Sequence, residues 1–192
     1  FSSQLMNVNI GHGRDEITEA VRNQMVSLSY VCPPFTTDSR GLLREKLDSI
    51  TPGHLNNTFF TLSIAESNEN AIILARLYSQ KHKIITHYRS DHGATMGAIS
   101  AGGDPRKNHI DNQQAPYFIH FENPCYYRCP WYSSSFEEFG DHAIKNFGNT
   151  IFYEGPNNIA TILLEGESGT SGCIKYPPFY LKKVNNICKK YN

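Results

Sequence analysis

Four short stretches of the sequence combine residue types and positions that could bind a ligand or move a proton. In the first, Ser63 precedes a helical pattern, and the N–H groups of Ile64 and Ala65 open that helix. A helix N-terminus favours anions such as phosphate, because free N–H groups and the helix dipole act together. A Ser that only caps a core helix has the same sequence signature, so this stretch alone leaves both interpretations open.

Two further stretches follow directly after predicted strands. Asp91-His92-Gly93-Ala94-Thr95 comes after one strand, and Glu165 ends another, which is strongly apolar. Ligands of α/β proteins bind at the carboxyl ends of parallel strands, and His is the usual acid or base near neutral pH. The glycine-rich stretch 166–172 after Glu165 lacks the Lys-Ser or Lys-Thr of a Walker motif, which argues against nucleotide binding.

The fourth stretch contains two cysteines four residues apart, Cys125 and Cys129. A zinc site needs two such pairs, or one pair with histidines, and only His120 and His142 are near in sequence. Packing of a loop is therefore the favoured interpretation, and no metal site is predicted. The odd, scattered set of five cysteines favours reduced thiols in the cytoplasm, or in mitochondria if a targeting segment precedes Phe1.

The composition excludes several classes of protein. Lys+Arg and Asp+Glu are both 18, so the formal net charge is +0, which argues against a nucleic-acid partner. No apolar run approaches the ~20 residues that span a bilayer, so no membrane partner is predicted. The aromatic content of 12% is too high for a disordered chain, and 192 residues suit one domain.

Hydrophobic periodicity predicts helices alternating with strands. The predicted helices cover about 15–29, 39–50, 66–80, 137–147 and 178–191, with a short helix opening at 93, and the predicted strands cover 58–62, 83–88, 117–121 and 159–165. In the last helix, Leu181, Val184, Ile187 and Cys188 are predicted to point inward. Near-continuous apolar strands separated by helices indicate a three-layer α/β fold with a mainly parallel sheet.

Eight collinear motifs then resemble the class-III aminotransferases, which are pyridoxal-phosphate enzymes. The resemblance covers essentially the whole chain, and its subgroup is similar to the omega-amino-acid or taurine–pyruvate type. The motifs are Phe1-Ser2-Ser3-Gln4 through Asn9-Ile10-Gly11-His12, Pro33-Pro34-Phe35-Thr36-Thr37, Thr51-Pro52-Gly53, Ser67-Asn68-Glu69-Asn70-Ala71, Lys83-Ile84-Ile85, His92-Gly93-Ala94-Thr95, Gly103-Asp104-Pro105-Arg106 and Tyr127-Arg128-Cys129-Pro130.

The resemblance implies a fold, a cofactor and partners. Residues 1–192 would be the N-terminal part of the large domain of the fold-type-I PLP-dependent transferase fold, without the half that holds the catalytic Lys and without the C-terminal small domain. It implies pyridoxal 5'-phosphate as cofactor, an amine donor and a keto acid as substrates, and a homodimer. The cofactor-binding positions it implies are Ser63, Ile64, Ala65, Asp91, His92, Gly93 and Glu165.

The sequence departs from the family pattern at three places. Ile64 stands where the family has a Gly in its phosphate turn, and Ile neither takes φ > 0 readily nor lets a phosphate approach the backbone as closely. Asp91 stands where the family has an aromatic residue, usually Tyr, that stacks on the cofactor ring. The Lys that forms the Schiff base is absent from this chain, so no catalytic residue is predicted and the chain alone is expected to be inactive.

Three interpretations remain open at this point. The chain is a partial chain of a working aminotransferase, or it is a degenerate, non-catalytic remnant that acts, if at all, through a partner. The third is an unrelated α/β hydrolase using His92 and a Cys, but the sequence has no nucleophile elbow, because Gly166-Glu167-Ser168-Gly169 has the wrong spacing.

Overall fold

A computed structural model describes residues 3–191, apart from the side chains of Asp111 and Asn112. Phe1 and Ser2, which belong to the first motif, and Asn192 lie outside the described residues. The chain divides into two compact units, Phe1–Phe59 and Phe60–Asn192, called here the first and the second unit. Within residues 3–191, none of the helices has the length and apolar character needed to cross a membrane.

The first unit contains two helices, α1 (Asp15–Ser27) and α2 (Asp38–Asp48). Both lie where the periodicity predicts helices, and each ends two residues before the predicted C-terminal end. Thr37 caps α2 with its hydroxyl, which accepts a hydrogen bond from the Arg40 N–H. Neither helix contains a buried residue, although both carry apolar side chains at helical spacing.

The second unit is built on a sheet of three parallel strands in the order β2-β1-β3. They are β1 (Lys83–His87), β2 (Phe118–Phe121) and β3 (Ile159–Leu163). The prediction of a mainly parallel α/β sheet is confirmed. Parallel strands align their carboxyl ends at one edge, so the segments after His87, Phe121 and Leu163 share that edge.

Four helices accompany the sheet: α3 (Ile64–Ser79), α4 (Met96–Ala101), α5 (Phe136–Glu154) and α6 (Tyr180–Lys190). Ile84 and Ile85 point to opposite faces of the central strand, and both are fully buried. Both faces are therefore covered, as in a three-layer fold. Ile85 belongs to the main core, together with Phe121 and with Phe147 of α5.

The long segment between α4 and α5 has little regular structure. It contains two 3₁₀ helices, at Pro105–Gln113 and Tyr126–Arg128, and the strand β2. The helix predicted at 137–147 is longer than expected, since it extends through the buried Ile151 to Glu154 and ends at Gly155, which has φ +78°.

Three predictions were wrong. The short helix predicted to open at Gly93 begins instead at Met96, because Gly93 has φ +119° and Thr95 is extended. No strand forms at Thr58–Leu62, where Phe59 and Leu62 are exposed and no described strand pairs with the segment. β-Branched and aromatic residues favour a strand only when a neighbouring strand accepts their hydrogen bonds. Leu181 of α6 is 41% exposed instead of pointing inward, whereas Val184 is buried.

Candidate functional site

The N-terminus of α3 is fixed by a Ser-x-x-Glu capping pattern at Ser63–Glu66. The Ser63 hydroxyl accepts a hydrogen bond from the Glu66 N–H at 3.2 Å. The Glu66 carboxylate in turn accepts one from the Leu62 N–H at 2.8 Å. Among the described residues no group accepts from the N–H of Ile64 or Ala65, so two donors at the start of a 16-residue helix stay available.

Ile64 fits this turn without backbone strain. It lies in the helix, it has no positive φ, and its side chain is 73% exposed. The left-handed conformation that favours Gly is therefore not used at this position in this chain.

The His92-Gly93 loop packs directly against the first turn of α3. A Cβ atom added to Gly93 would lie 2.5 Å from the Ala65 Cβ, and Gly93 has φ +119°. Both facts require glycine here, the first for space and the second for conformation. The Asn68 side chain donates to the His92 carbonyl at 2.7 Å, which ties the loop to α3 a second time.

His92 is buried, with 3% of its surface exposed, and its Nε2 lies 3.0 Å from the Thr86 hydroxyl. Burial lowers the pKa of His92, and the neighbouring Asp91 charge only partly opposes this. A neutral imidazole bonded to the strand β1 holds its loop in place. Of its two ring nitrogens, Nε2 is bonded to Thr86.

Asp91 is held in an ion pair. Its Oδ2 lies 2.7 Å from a terminal guanidinium nitrogen of Arg106, and its Oδ1 accepts from the Gly93 N–H at 3.1 Å. Arg106 also pairs with Asp104 at 2.9 Å. The hydrogen bonds that Arg106 donates to Asp104 and to Asp91 raise its pKa, so the guanidinium stays charged. One guanidinium is thus shared between two carboxylates, those of Asp91 and Asp104.

Glu165 lies two residues after β3 and reaches the same loop. Its Oε2 accepts from the Ser168 hydroxyl at 3.3 Å and from the Asp91 N–H at 3.4 Å. Ser168 is fully buried and its hydroxyl also lies 2.8 Å from the Arg89 carbonyl. The structure therefore brings together Ala65, Asp91, His92, Gly93 and Glu165 at the carboxyl edge of the sheet, and Ser63 and Ile64 directly precede Ala65 in the first turn of α3.

Sequence reasoning did not single out three residues that hold this site: Arg106, Asn68 and Ser168. Arg106 and Asn68 lie within two of the eight motifs. Their partners, Asp91 and His92, are 15 and 24 positions away in sequence. Only the Asx-type pattern at Asp104-Pro105-Arg106, where Asp104 accepts from the Arg106 N–H at 2.8 Å, gives a local signal.

The cysteine stretch has other contacts. Cys129 is hydrogen-bonded to Trp131, and His142 to the Ser133 hydroxyl at 3.1 Å. Within the described part of the chain, no group of three or more His, Cys, Asp and Glu could hold a metal ion. His92 has no Cys among its described partners, so the hydrolase pair of the third interpretation does not form.

The model of the class-III aminotransferase family matches residues 1–192. A probable aminotransferase of Mycobacterium tuberculosis is 32% identical over 99% of this chain and 42% of its own length. A hypotaurine/taurine–pyruvate aminotransferase of Paracoccus denitrificans is 27% identical over 100% of this chain and 42% of its own length. The crystal structure of a taurine:2-oxoglutarate aminotransferase from Bifidobacterium kashiwanohense, in complex with PLP and glutamate, superposes with a TM-score of 0.89. It is 33% identical, over 95% of this chain and 42% of that one.

The chain thus spans less than half the length of the relatives it matches, as the predicted partial chain requires. The match extends from end to end of this chain, and the hydrolase interpretation is excluded. The chain belongs to the class-III aminotransferase family.

Proposed function

We propose that residues 1–192 are the N-terminal part of the large domain of a PLP-dependent transaminase, without the half that holds the catalytic Lys and without the small domain. The complete protein would transfer an amino group from an amine or omega-amino acid to a keto acid. The observation that carries this proposal is the junction of the α3 N-terminus, the His92-Gly93 loop and Glu165 at one edge of a parallel sheet.

The residues present fit the phosphate group of pyridoxal phosphate. The N–H groups of Ile64 and Ala65 have no acceptor among the described residues, and they open a long helix whose dipole favours an anion. Ser63 completes the turn by fixing the first helical residues through its cap. Gly93 allows its loop to lie against this turn, where any side chain would collide with Ala65.

The side of the site that meets the cofactor ring differs from the family pattern. An aromatic ring would contribute stacking there, whereas Asp91 contributes an ion pair with Arg106. The carboxylate is bonded to the Gly93 N–H and to Arg106, which it shares with Asp104, so its negative charge is partly compensated. We expect this arrangement to weaken contact with the ring but not to prevent binding through the phosphate.

Bound pyridoxal phosphate supplies the aldehyde that takes up the amino group and a ring that withdraws electrons. In this proposal the residues of this chain bind and orient it. His92 stays neutral and fixes the loop through Thr86, and Glu165 is held by Ser168 as a fixed acceptor next to the loop. The Lys that the family uses for proton transfer is expected outside residues 1–192, so we expect no turnover by this segment alone.

The proposal also covers the oligomeric state, the substrates and the compartment of the complete protein. We propose a homodimer, in line with the family, with an amine donor and a keto acid as substrates. We propose the cytoplasm as its compartment, or mitochondria if a targeting segment precedes Phe1, in line with the odd and scattered set of five cysteines. Taurine and pyruvate are named for relatives only, and the donor of this protein is left open.

The test measures the binding of the cofactor to the complete polypeptide by fluorescence titration. We expect saturable binding of pyridoxal phosphate and much weaker binding of pyridoxal, because the α3 N-terminus recognises the phosphate. Gly93→Ala should weaken binding at least tenfold by displacing α3. The matched control is Gly148→Ala on α5, where an added Cβ meets nothing within 4 Å. Equal affinity for pyridoxal phosphate and pyridoxal would contradict the proposed phosphate site.

The second candidate is a degenerate, non-catalytic remnant that acts through a partner. Asp91 favours this candidate, because it replaces a stacking ring by an ion pair. Absence of cofactor binding by the complete polypeptide in both its native and its Gly148→Ala form would support the remnant over the working enzyme.

A further inference from the structure

A cavity of about 520 Å³ lies beside the candidate site in the second unit. Its walls come from four segments: Arg89 after β1, Cys125 with the 3₁₀ helix Tyr126–Arg128, Phe136 at the start of α5, and residues 171–175. This volume is within the range of about 300–1,000 Å³ that is typical of small-molecule sites.

The charge of the cavity is strongly one-sided. Arg89, Arg128 and Lys175 line it, and none of its lining residues is Asp or Glu. No described carboxylate forms a salt bridge with any of these three side chains, although the chain as a whole has a net charge of +0. Unpaired cations around a concave site favour an oxyanion, and a guanidinium can bind a carboxylate through two hydrogen bonds.

The rest of the wall is aromatic. Tyr126 packs edge-on against Phe136, with ring centroids 5.1 Å apart, and both residues line the cavity. The Arg128 guanidinium lies over the Tyr127 ring at 5.7 Å, which keeps this cation at the rim without neutralising it. Flat apolar surface beside cations suits a flat organic anion better than an inorganic one.

The cavity wall is fixed by the same residue that holds Glu165. Ser168 bonds the Arg89 carbonyl, and its backbone forms an antiparallel bridge with Ile174, which lines the cavity. The turn between them carries Cys173, whose side chain is exposed and also lines the cavity. The wall is thus held by hydrogen bonds to the body of the second unit.

We propose that this cavity is a binding site for a small organic anion, with its carboxylate or comparable oxyanion on Arg89, Arg128 and Lys175 and its flat body against Tyr126 and Phe136. The proposal rests on the cavity and its charges, and it does not depend on the proposed transaminase activity.

The first experiment compares benzoate with benzamide, its neutral analogue of the same shape, by calorimetric titration of the complete polypeptide. We expect saturable benzoate binding and at least tenfold weaker benzamide binding. Arg128→Gln should raise the Kd for benzoate about tenfold, which corresponds to loss of one charge-assisted hydrogen bond. The control Lys145→Gln removes the same charge from an exposed position of α5 and should leave the Kd unchanged. Equal binding of both probes, or an unchanged Kd in Arg128→Gln, would overturn the proposal.

A second measurement needs no variant and locates the ligand. Cys173 lines the cavity, whereas Cys32 is exposed in the first unit and serves as an internal reference. Saturating benzoate should slow alkylation of Cys173 by iodoacetamide and leave Cys32 unaffected, as read by peptide mass spectrometry. If benzoate binds without protecting Cys173, the anion site is elsewhere and the proposal is wrong.

Discussion

The two units of the chain differ in how far they bury their apolar side chains. In the first unit α1 and α2 bury no residue, and Ile17, Val21 and Met25 of α1 are each more than half exposed. In the second unit Ile85, Phe121 and Phe147 form one core with less than 4% exposure each. A helical pattern alone therefore indicates that an apolar face exists, but not that this chain covers it.

The difference also explains where the candidate site can form. The second unit has a buried sheet that fixes the ends of its strands, and the candidate site stands on those ends. The first unit offers no such framework within residues 3–59. Ligand-binding groups need rigid support, so the chemistry of this chain is concentrated in the second unit.

The largest effect on stability is expected when a side chain at the centre of that core is removed. Phe147→Ala should lower the free energy of unfolding by about 3–5 kcal/mol, because it leaves a cavity among fully buried residues. Urea denaturation measures the change. Phe152→Ala, on the same helix but with 68% of the residue exposed, is the matched control and should cost less than about 1 kcal/mol. Similar losses in both variants would mean that the core is not centred on Phe147.

The next prediction concerns pH and the buried His87. Its Nε2 lies 2.9 Å from the Tyr180 hydroxyl, and burial lowers its pKa from 6.5 to about 3. The unfolded chain binds a proton at higher pH than the folded one, so His87 reduces stability as the pH falls from 6.5 towards 3 and has no effect above 6.5. The expected loss is about 1.4 kcal/mol for each pH unit in that window.

The measurement is the free energy of unfolding as a function of pH in the native protein and in His87→Gln. The variant should show a flatter decline below pH 6.5, whatever its stability at neutral pH. His54→Gln changes an exposed residue of the first unit and should leave the slope as it is. A slope that is unchanged in His87→Gln would show that this histidine is not kept neutral by the fold.

A smaller effect is expected for the cap of α4. Thr95 makes no side-chain cap bond of its own, and Glu69 of α3 accepts from the N–H groups of Gly97 at 2.8 Å and Ala98 at 3.1 Å. Glu69→Ala should cost about 1–2 kcal/mol, as for loss of a helix cap. Glu19→Ala in the first unit breaks only an exposed ion pair with Arg22 and should cost less than about 0.5 kcal/mol. If urea denaturation gave the same loss of unfolding free energy for both variants, the predicted difference between the two units would be wrong.

The smallest effect is expected in the first unit itself. Met25 is 60% exposed, so Met25→Ala should change the free energy of unfolding of the 192-residue chain by less than about 0.5 kcal/mol. In the complete polypeptide the same variant should cost about 2 kcal/mol or more if further chain or a partner subunit covers this face. An equally small cost in both would show that the apolar face of α1 stays uncovered.

Much of the fold could be predicted because helix formation depends mainly on residues that are close together in sequence. The apolar spacing in α1 and α2 and the Ser63 cap of α3 depend on residues within one or two turns. The parallel sheet followed from the alternation of apolar strands with helices. The segment Thr58–Leu62 was predicted wrongly because a strand depends on a partner elsewhere in the chain, which composition does not report.

The sequence by itself determined the family and the parallel α/β architecture, since both depend on motif order or local pattern, and it predicted seven positions of the candidate site. Only the tertiary structure decided which cation pairs with Asp91, because its partner Arg106 is 15 positions away, across a loop and the helix α4. It alone decided that Gly93 packs on Ala65, and that Ser168 joins Glu165 to Arg89. Such contacts join residues that are distant in sequence, and they exist only once the sheet has brought the ends of its strands to one edge.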